Sequence, residues 1–257
     1  MPDRLAVLSD THGVLPTLDA VLAEPDVRSA DLVVVTGDLA AGPQPTQVLD
    51  RLLALGDRVR LVRGNADRDL VTLARGGVLP DGTPPVDTWA AAHLRPDQVE
   101  LLAALPHPLV VPLAGVGDVL FCHGTPRDDD EVVLVDTRPS RWAEVLADVP
   151  AAVRIVCGGH THTPYARQVG RRWVVNSGST GMPYGAPGAP WVLLDAQGVH
   201  LRTTPFEPRR VADDIIAGST FPGVEAWVDD YVLSPPSDVE AILAFAARDG
   251  RRPGWDD

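Results

Sequence analysis

Leu32-Val33-Val34-Val35-Thr36-Gly37-Asp38 is an apolar, mostly β-branched run that stops on a glycine and a carboxylate. A run without polar alternation reads as a short strand buried on both faces, the pattern of a parallel sheet covered by helices. The flanking sequence agrees. Upstream, residues 4–9 form another apolar strand that also stops on a carboxylate, Asp10, and a helix follows over about 15–22 with Pro16 in its first turn. Downstream, Val48, Leu49, Leu52 and Leu53 mark one face of a helix over about 46–55, and residues 59–62 are a third strand. The β-α-β-α-β order requires a sheet that is at least partly parallel.

Beyond this unit the texture changes. Residues 76–85 are rich in Gly and Pro and read as an exposed loop, and residues 89–104 read as helical with a break near Arg95-Pro96. From residue 109 onward short strands dominate, at 109–113, 118–122, 154–157, 172–175, 191–194 and 199–204, which suggests a second sheet stacked on the first. The tail carries helical stretches at about 209–217 and 237–247 and a charged, frayed end at 248–257. The organisation expected is one domain over 1–257, with a helical insert at about 66–108 and a C-terminal extension at about 205–257.

With 45% hydrophobic and 22% charged residues, a chain of 257 residues can bury a sizeable core, and wholesale disorder is excluded. A net charge of -13 argues against a broad nucleic-acid groove or an anionic membrane surface, since both require a basic face. The first residues lack the pattern of a signal peptide, and no apolar run reaches membrane-spanning length. Cys122 and Cys157 each lie inside an apolar strand-like run and read as buried free thiols rather than a disulfide. A cytoplasmic protein is the expectation.

Five short segments place metal-ligand residues directly after apolar runs: Asp10-Thr11-His12, Gly37-Asp38, Gly64-Asn65, His123-Gly124 and Gly158-Gly159-His160-Thr161-His162. Ligands in sheet proteins are held where strands end and loops begin, so five such ends can converge on one point. The chain has seven histidines, and four fall in these segments, a concentration that argues against chance. Any one of these residues could be a helix cap or a satisfied polar group; the ordered set is what argues for metal. Imidazoles, carboxylates and one amide suit hard or borderline divalent ions. Seven side chains exceed the needs of one tetrahedral ion and suit two ions roughly 3.5–4 Å apart that share a carboxylate. Gly37 lets the backbone of Asp38 approach the centre without a Cβ in the way. His160 and His162, two apart on an extended segment, can straddle the pair.

The ordered set resembles the calcineurin-like metallophosphoesterase superfamily. Gly37-Asp38-Leu39-Ala40-Ala41-Gly42-Pro43, His123-Gly124-Thr125-Pro126-Arg127-Asp128 and Asn176-Ser177-Gly178-Ser179 are similar to its small prokaryotic phosphodiesterase/phosphatase branch. The match runs from about residue 4 to residue 179. It implies an α/β fold, a four-layer α/β/β/α sandwich of two mixed sheets flanked by helices. It further implies that Asp10, His12, Asp38 and His162 hold one metal while Asp38, Asn65, His123 and His160 hold the other. Asp38 would bridge them with a water or hydroxide that attacks phosphorus. Mn²⁺ is the first choice of ion, with Fe, Ni²⁺ and Zn²⁺ also compatible.

The sequence departs from the wider family at one place. A histidine that commonly follows Gly-Asn and protonates the leaving group is here Ala66, followed by Asp67. Asp67 is therefore a candidate proton donor, grouped with Asp38 and Asn65 as catalytic, and Arg127 and Arg68 are candidate phosphate clamps. Asn176 and Ser179 either support the site or reflect turn chemistry. The run Asp128-Asp129-Asp130-Glu131 reads as a solvated loop. The expected activity is hydrolysis of a small phosphodiester or phosphomonoester, with a slight lean to the diester. The rivals are a catalytically silent binding scaffold of the same fold and a metal-dependent nuclease, the latter disfavoured by the acidic composition.

Overall fold

The computed structural model describes residues 1–80, 82–185 and 187–249. Strand β1 (Leu5–Leu8) leads through helices α1 (Leu15–Ala23) and α2 (Pro25–Ser29) to β2 (Leu32–Val35), then through α3 (Pro45–Leu53) to β3 (Val59–Leu61). These three strands run parallel, with Leu5 beside Leu32 and Val33 beside Val59. Helices α4 (Asn65–Ala74), α5 (Pro85–His93) and α6 (Pro96–Ala103) follow, the last two meeting at the break expected near Arg95-Pro96.

A second sheet comes next, from β4 (Leu109–Leu113), β5 (Gly117–Phe121), α7 (Pro139–Val145), β6 (Val153–Gly158), β7 (Tyr165–Val169) and β8 (Arg172–Asn176). Its order is β4-β5-β6-β8-β7, with β5, β6 and β8 parallel and the outer two strands antiparallel to their neighbours. Strands β9 (Ala189–Asp195) and β10 (Gly198–Thr204) depart from the expectation that the later strands belong to the second sheet. They return to the first, giving the order β10-β9-β1-β2-β3 with β9 antiparallel to β1. The reason is burial: β1 is covered on both faces and needs a partner on its free edge, and β9 supplies an apolar run buried through its first six residues. Strand β7, Tyr-Ala-Arg-Gln-Val, is an edge strand with no apolar alternation, so its sequence carries no strand signal.

The period-two geometry of strands explains the layers. Leu5, Val7 and Val34 face inward and pack against Val119, Phe121, Ile155 and Val175 of the second sheet. Ala6, Leu8, Val33 and Val35 face the other way and bury Leu18, Val21, Leu49 and Leu52 of α1 and α3, with Leu70, Ala90 and Leu102 of α4–α6 in the same cluster. On the far side, Leu120, Val156 and Val174 pack on Trp142 and Val145 of α7. This is the expected α/β/β/α sandwich of two mixed sheets.

The chain closes with α8 (Pro208–Gly218), α9 (Val224–Val228), a π-type turn over 229–233 and α10 (Asp238–Ala246). Val211, Ile215, Trp227 and Val232 form a separate small core with Val14 and Val86. Of the expected charged end, residues 250–257 lie outside the described residues. Cys122 and Cys157 are buried free thiols, and burial pushes both above the usual thiol range. Among the described residues no helix is long and apolar enough to cross a membrane.

Candidate metal centre

Parallel strands end on the same side of a sheet, and five of the six here hand a ligand-type residue to that edge. β1 leads to Asp10 and His12, β2 to Asp38, β3 to Asn65, β5 to His123, and β6 to His160 and His162. Backbone hydrogen bonds stitch the loops together: Asp10 N donates to Gly37 O (3.0 Å), His12 N to Asp38 O (2.9 Å) and Gly159 N to His123 O (2.9 Å). The non-glycine residues with left-handed φ among those described are Asp10 (52°), His12 (44°), Asp38 (53°), His160 (67°) and His162 (56°). All five are sequence-predicted ligands. Such conformations cost free energy and persist where the surroundings fix them, which is typical of functional sites. At Gly37 (φ 106°) a Cβ would come within 2.7 Å of His123 Nδ1 and of the Gly64 backbone, so a glycine is required there.

The side chains gather into two groups, Asp10–His12–His162 and Asp38–His123–His160, each able to offer three ligand atoms within 4.8 Å of one another. In the first group His162 Nε2 lies 3.2 Å from Asp10 Oδ1 and 3.1 Å from His12 Nε2. In the second, His123 Nε2 lies 3.2 Å from Asp38 Oδ2. Asp38 also joins the groups, since its Oδ2 is 3.7 Å from His12 Nε2. All six residues are buried.

The donor chemistry fits metal ions. His12 Nδ1 faces Ala41 O (3.2 Å), His123 Nδ1 faces Thr36 O (2.7 Å) and His162 Nδ1 faces Met182 O (2.9 Å). A carbonyl only accepts, so it takes the Nδ1 proton, and in the neutral ring the Nε2 lone pair is then aimed at the centre. Lone pairs and carboxylate oxygens facing one another at about 3 Å repel unless a cation lies among them. Asp10 Oδ1, Asn65 Oδ1, His123 Nε2 and His160 Nε2 are buried atoms with no hydrogen-bond partner, and each belongs to a predicted ligand. Buried polar atoms are seldom left unsatisfied, so the clustering of these four fits a candidate ion site.

Electrostatics follow from the same crowding. Burial works to raise Asp10 and Asp38, but the facing imidazoles, His162 for Asp10 and His123 for Asp38, override it and hold both carboxyls below the usual range. Burial lowers His12, and lowers His160 to about 4, so both rings are neutral donors at neutral pH. His123 differs. Burial pulls it down, yet Asp38 and Asp10 raise it to about 10, so a metal bound there would compete with a proton for this ring.

Asp67 is fully buried beside Asp38. Its Oδ2 accepts from Asp38 N (3.0 Å) and Gly64 N (2.9 Å), and its Oδ1 accepts from Leu39 N (2.9 Å). It therefore ties the β2 loop to the first turn of α4. Burial and the charge of Asp38 push its carboxyl up to about 7. Ala66 contributes through its backbone, donating its N–H to Asp38 Oδ1 (2.8 Å). Asp38 thus caps the positive end of α4.

The support behind the ligands is partly unforeseen. Asn176 Nδ2 donates to Gly159 O (2.6 Å) and Thr161 Oγ1 (3.0 Å), and Ser179 Oγ donates to Asp10 O (2.7 Å), while Asn176 Oδ1 and Ser179 Oγ accept from Gly178 N and Met182 N (2.8 Å each), so the two residues make the turn and support the site at once. The run 128–131 is not a solvated loop throughout. Asp129 is buried and paired with Arg63 (2.9 Å) and Arg68, and Glu131 is paired with Arg127 (2.6 Å) and Arg141 (2.5 Å). The predicted clamps thus already face carboxylates, Arg68 toward Asp129 and Asp69, and Arg127 toward Glu131 and Glu144. Residues that the motifs did not flag also border the centre: Tyr184 stacks on His162 with ring centroids 5.1 Å apart, and Phe245 meets His160 at 5.8 Å. Neither lies in a recognisable pattern, so the sequence carries no signal for them.

Comparison with known proteins agrees with this geometry. Residues 4–198 match the calcineurin-like phosphoesterase superfamily domain. A symmetrical bis(5'-nucleosyl)-tetraphosphatase from Klebsiella pneumoniae (strain 342) is 31% identical over 159 residues, covering 56% of this chain and 55% of that protein. One from Acidovorax sp. (strain JS42) is 40% identical over 101 residues, covering 37% of this chain and 34% of that protein. The chain thus spans about a third to a half of the length of these curated relatives. Among solved structures, a hypothetical protein from Pyrococcus horikoshii OT3 (TM-score 0.73, 20% identity) aligns over 88% of this chain and 97% of its own. A metallophosphoesterase from Sphaerobacter thermophilus (TM-score 0.66, 21% identity) aligns over 88% and 98%. At these identities the structural likeness speaks for the fold, and the domain match carries the assignment: the chain belongs to the calcineurin-like phosphoesterase superfamily.

Proposed function

We propose that this protein hydrolyses a small phosphorylated substrate, a phosphodiester or phosphomonoester, at a centre of two divalent ions. The observation that supports the reading best is the convergence of imidazole Nε2 atoms and carboxylate oxygens from two triads on one edge of the sandwich. Asp10, His12, Asp38 and His162 would hold one ion and Asp38, Asn65, His123 and His160 the other, with Mn²⁺ as the ion to try first. Bound there, such a pair supplies a nucleophilic water at neutral pH and neutralises phosphate charge.

The protein's own contribution is placement. Asp38, held by Asp67 through the backbone and by the α4 N-terminus through Ala66, sets the position shared between the half-sites. Asn65, the first residue of α4, brings its unpartnered Oδ1 to the same edge. With alanine at position 66, no side chain there delivers a proton to the leaving group. Turnover should therefore depend steeply on leaving-group acidity, being fast with aryl esters and slow with alkyl esters. The relatives named symmetrical bis(5'-nucleosyl)-tetraphosphatase add a dinucleoside tetraphosphate to the substrates worth testing.

The test is hydrolysis of p-nitrophenyl phosphate and bis-p-nitrophenyl phosphate by chelated protein reloaded with Mn²⁺, beside an Asp38→Ala control. Metal-dependent turnover that the control loses supports the reading, and the faster substrate chooses between monoester and diester. Two ions bound per chain with no turnover of either ester or of the tetraphosphate would favour the binding scaffold.

A further inference from the structure

Helix α10 crosses the edge of the centre. Its start is tied to the loop that carries Tyr184, since Gly185 N donates to Pro236 O (3.0 Å). Its far end is pinned to the loop before α7, where Thr137 Oγ1 donates to the buried Asp249 Oδ1 (2.7 Å). Between these anchors the helix lays Phe245 against the His160 ring, and the turn that follows it carries Arg248, whose guanidinium carbon lies 5.9 Å from the Phe245 ring centre. The guanidinium donates to Asp130 Oδ1 (2.7 Å) and Asp130 O (2.8 Å). The same Asp130 Oδ1 lies 3.7 Å from His160 Nε2, the unpartnered atom that faces the ion site. One carboxylate oxygen thus separates the guanidinium from the centre.

We propose that Arg248 is a substrate-binding residue: its guanidinium takes non-bridging oxygens of the phosphate held at the centre, in place of Asp130. The inference rests on the phosphohydrolase reading and names the cation of that site which neither the motifs nor the family domain, ending at residue 198, contains. Three observations carry it. The Asp130 oxygen lies between His160 Nε2 and Arg248, so an oxyanion in its place would sit beside the centre. The Arg248–Asp130 pair is about half exposed on both sides, so exchanging one oxyanion for another costs little. Arg68 and Arg127, by contrast, each already face two carboxylates, and Arg68's partner Asp129 is itself buried. A planar fork backed by an aromatic ring suits phosphate.

The experiment measures orthophosphate binding to the Mn²⁺-loaded full chain by calorimetry, in wild type, Arg248→Ala, Arg248→Lys and Asp130→Asn. We expect Arg248→Ala to weaken phosphate by about tenfold or more, the scale of one charge-assisted hydrogen bond, with Mn²⁺ content unchanged. Arg248→Lys recovers part of the loss, and Asp130→Asn tightens binding because the competing carboxylate is gone. Opposite signs for the two partners separate binding from a structural role, in which breaking the pair from either side harms the protein alike. In turnover the Arg248→Ala effect falls mainly on KM. Phosphate affinity within twofold of wild type in Arg248→Ala, or weaker binding in Asp130→Asn, overturns the proposal. Absence of turnover in wild type with phosphate binding that still depends on Arg248 sinks the hydrolase reading and leaves the anion site standing.

Discussion

His12 Nε2 and His162 Nε2 stand 3.1 Å apart, and each ring's Nδ1 faces a backbone carbonyl. Two lone pairs at that separation, with Asp10 Oδ1 3.2 Å from one of them, make a stable arrangement only around a cation. Wild type should bind two Mn²⁺ per chain by equilibrium dialysis and elemental analysis, His162→Ala about one, and His160→Ala about one from the other half-site. Chelation should lower the unfolding midpoint, and ion at about a hundred times its Kd should restore about 2.7 kcal/mol per site.

Asp67 supplies a second prediction, because two roles for it lead to different outcomes. As a clamp it satisfies three buried backbone N–H groups, on Asp38, Leu39 and Gly64. Asp67→Ala leaves all three without partners and should destabilise by at least about 3 kcal/mol in denaturant unfolding, with loss of bound metal. Asp67→Asn keeps one acceptor and should cost less. An Asp67→Ala protein with wild-type stability and metal content but slowed release of poor leaving groups would support the proton-donor role instead.

Gly64→Ala isolates a steric effect. Gly64 has φ -98°, which any residue adopts, so alanine meets no backbone penalty there. Its Cβ, however, would press on the Asp38 carboxylate and amide. The variant should keep its far-ultraviolet circular dichroism and lose at least about tenfold in Mn²⁺ affinity, the loss that comes with displacing ligand support. Wild-type affinity in this variant would mean that Asp38 is not fixed where the ions need it.

How much of this could be read in advance depended on where each residue's meaning lies. Asp10, Asp38, His123 and His160 follow apolar strands, and their role is written in local order; the strands themselves are announced by runs such as Leu32–Val35. The role of Asp67 is not local, because an acid three residues into a helix reads the same whether it faces solvent or three amides. Asp129 likewise sits in an acidic run whose exposure is set by Arg63 and Arg68, over sixty residues away. The return of β9 to the edge of β1 and the passage of α10 over His160 are tertiary choices that no short window of sequence contains.

His107 provides a pH-dependent prediction independent of metal. Its Nε2 is buried without a partner, and burial lowers the imidazole from 6.5 to about 4. Between those values the unfolded chain binds more protons than the folded one, so stability rises with pH across the window. The contribution is complete above about 6.5 and is lost as the pH falls toward 4. His107→Gln removes the titrating group, so its stability should change less with pH over this window than that of wild type. Urea unfolding of chelated protein near each end of the window measures the difference directly, and the ligand histidines cancel because both proteins carry them. Parallel pH profiles would mean that His107 is solvated in the folded state. A steeper fall in the variant toward low pH would reverse the sign, and would require a carboxylate partner that holds the folded-state imidazole protonated.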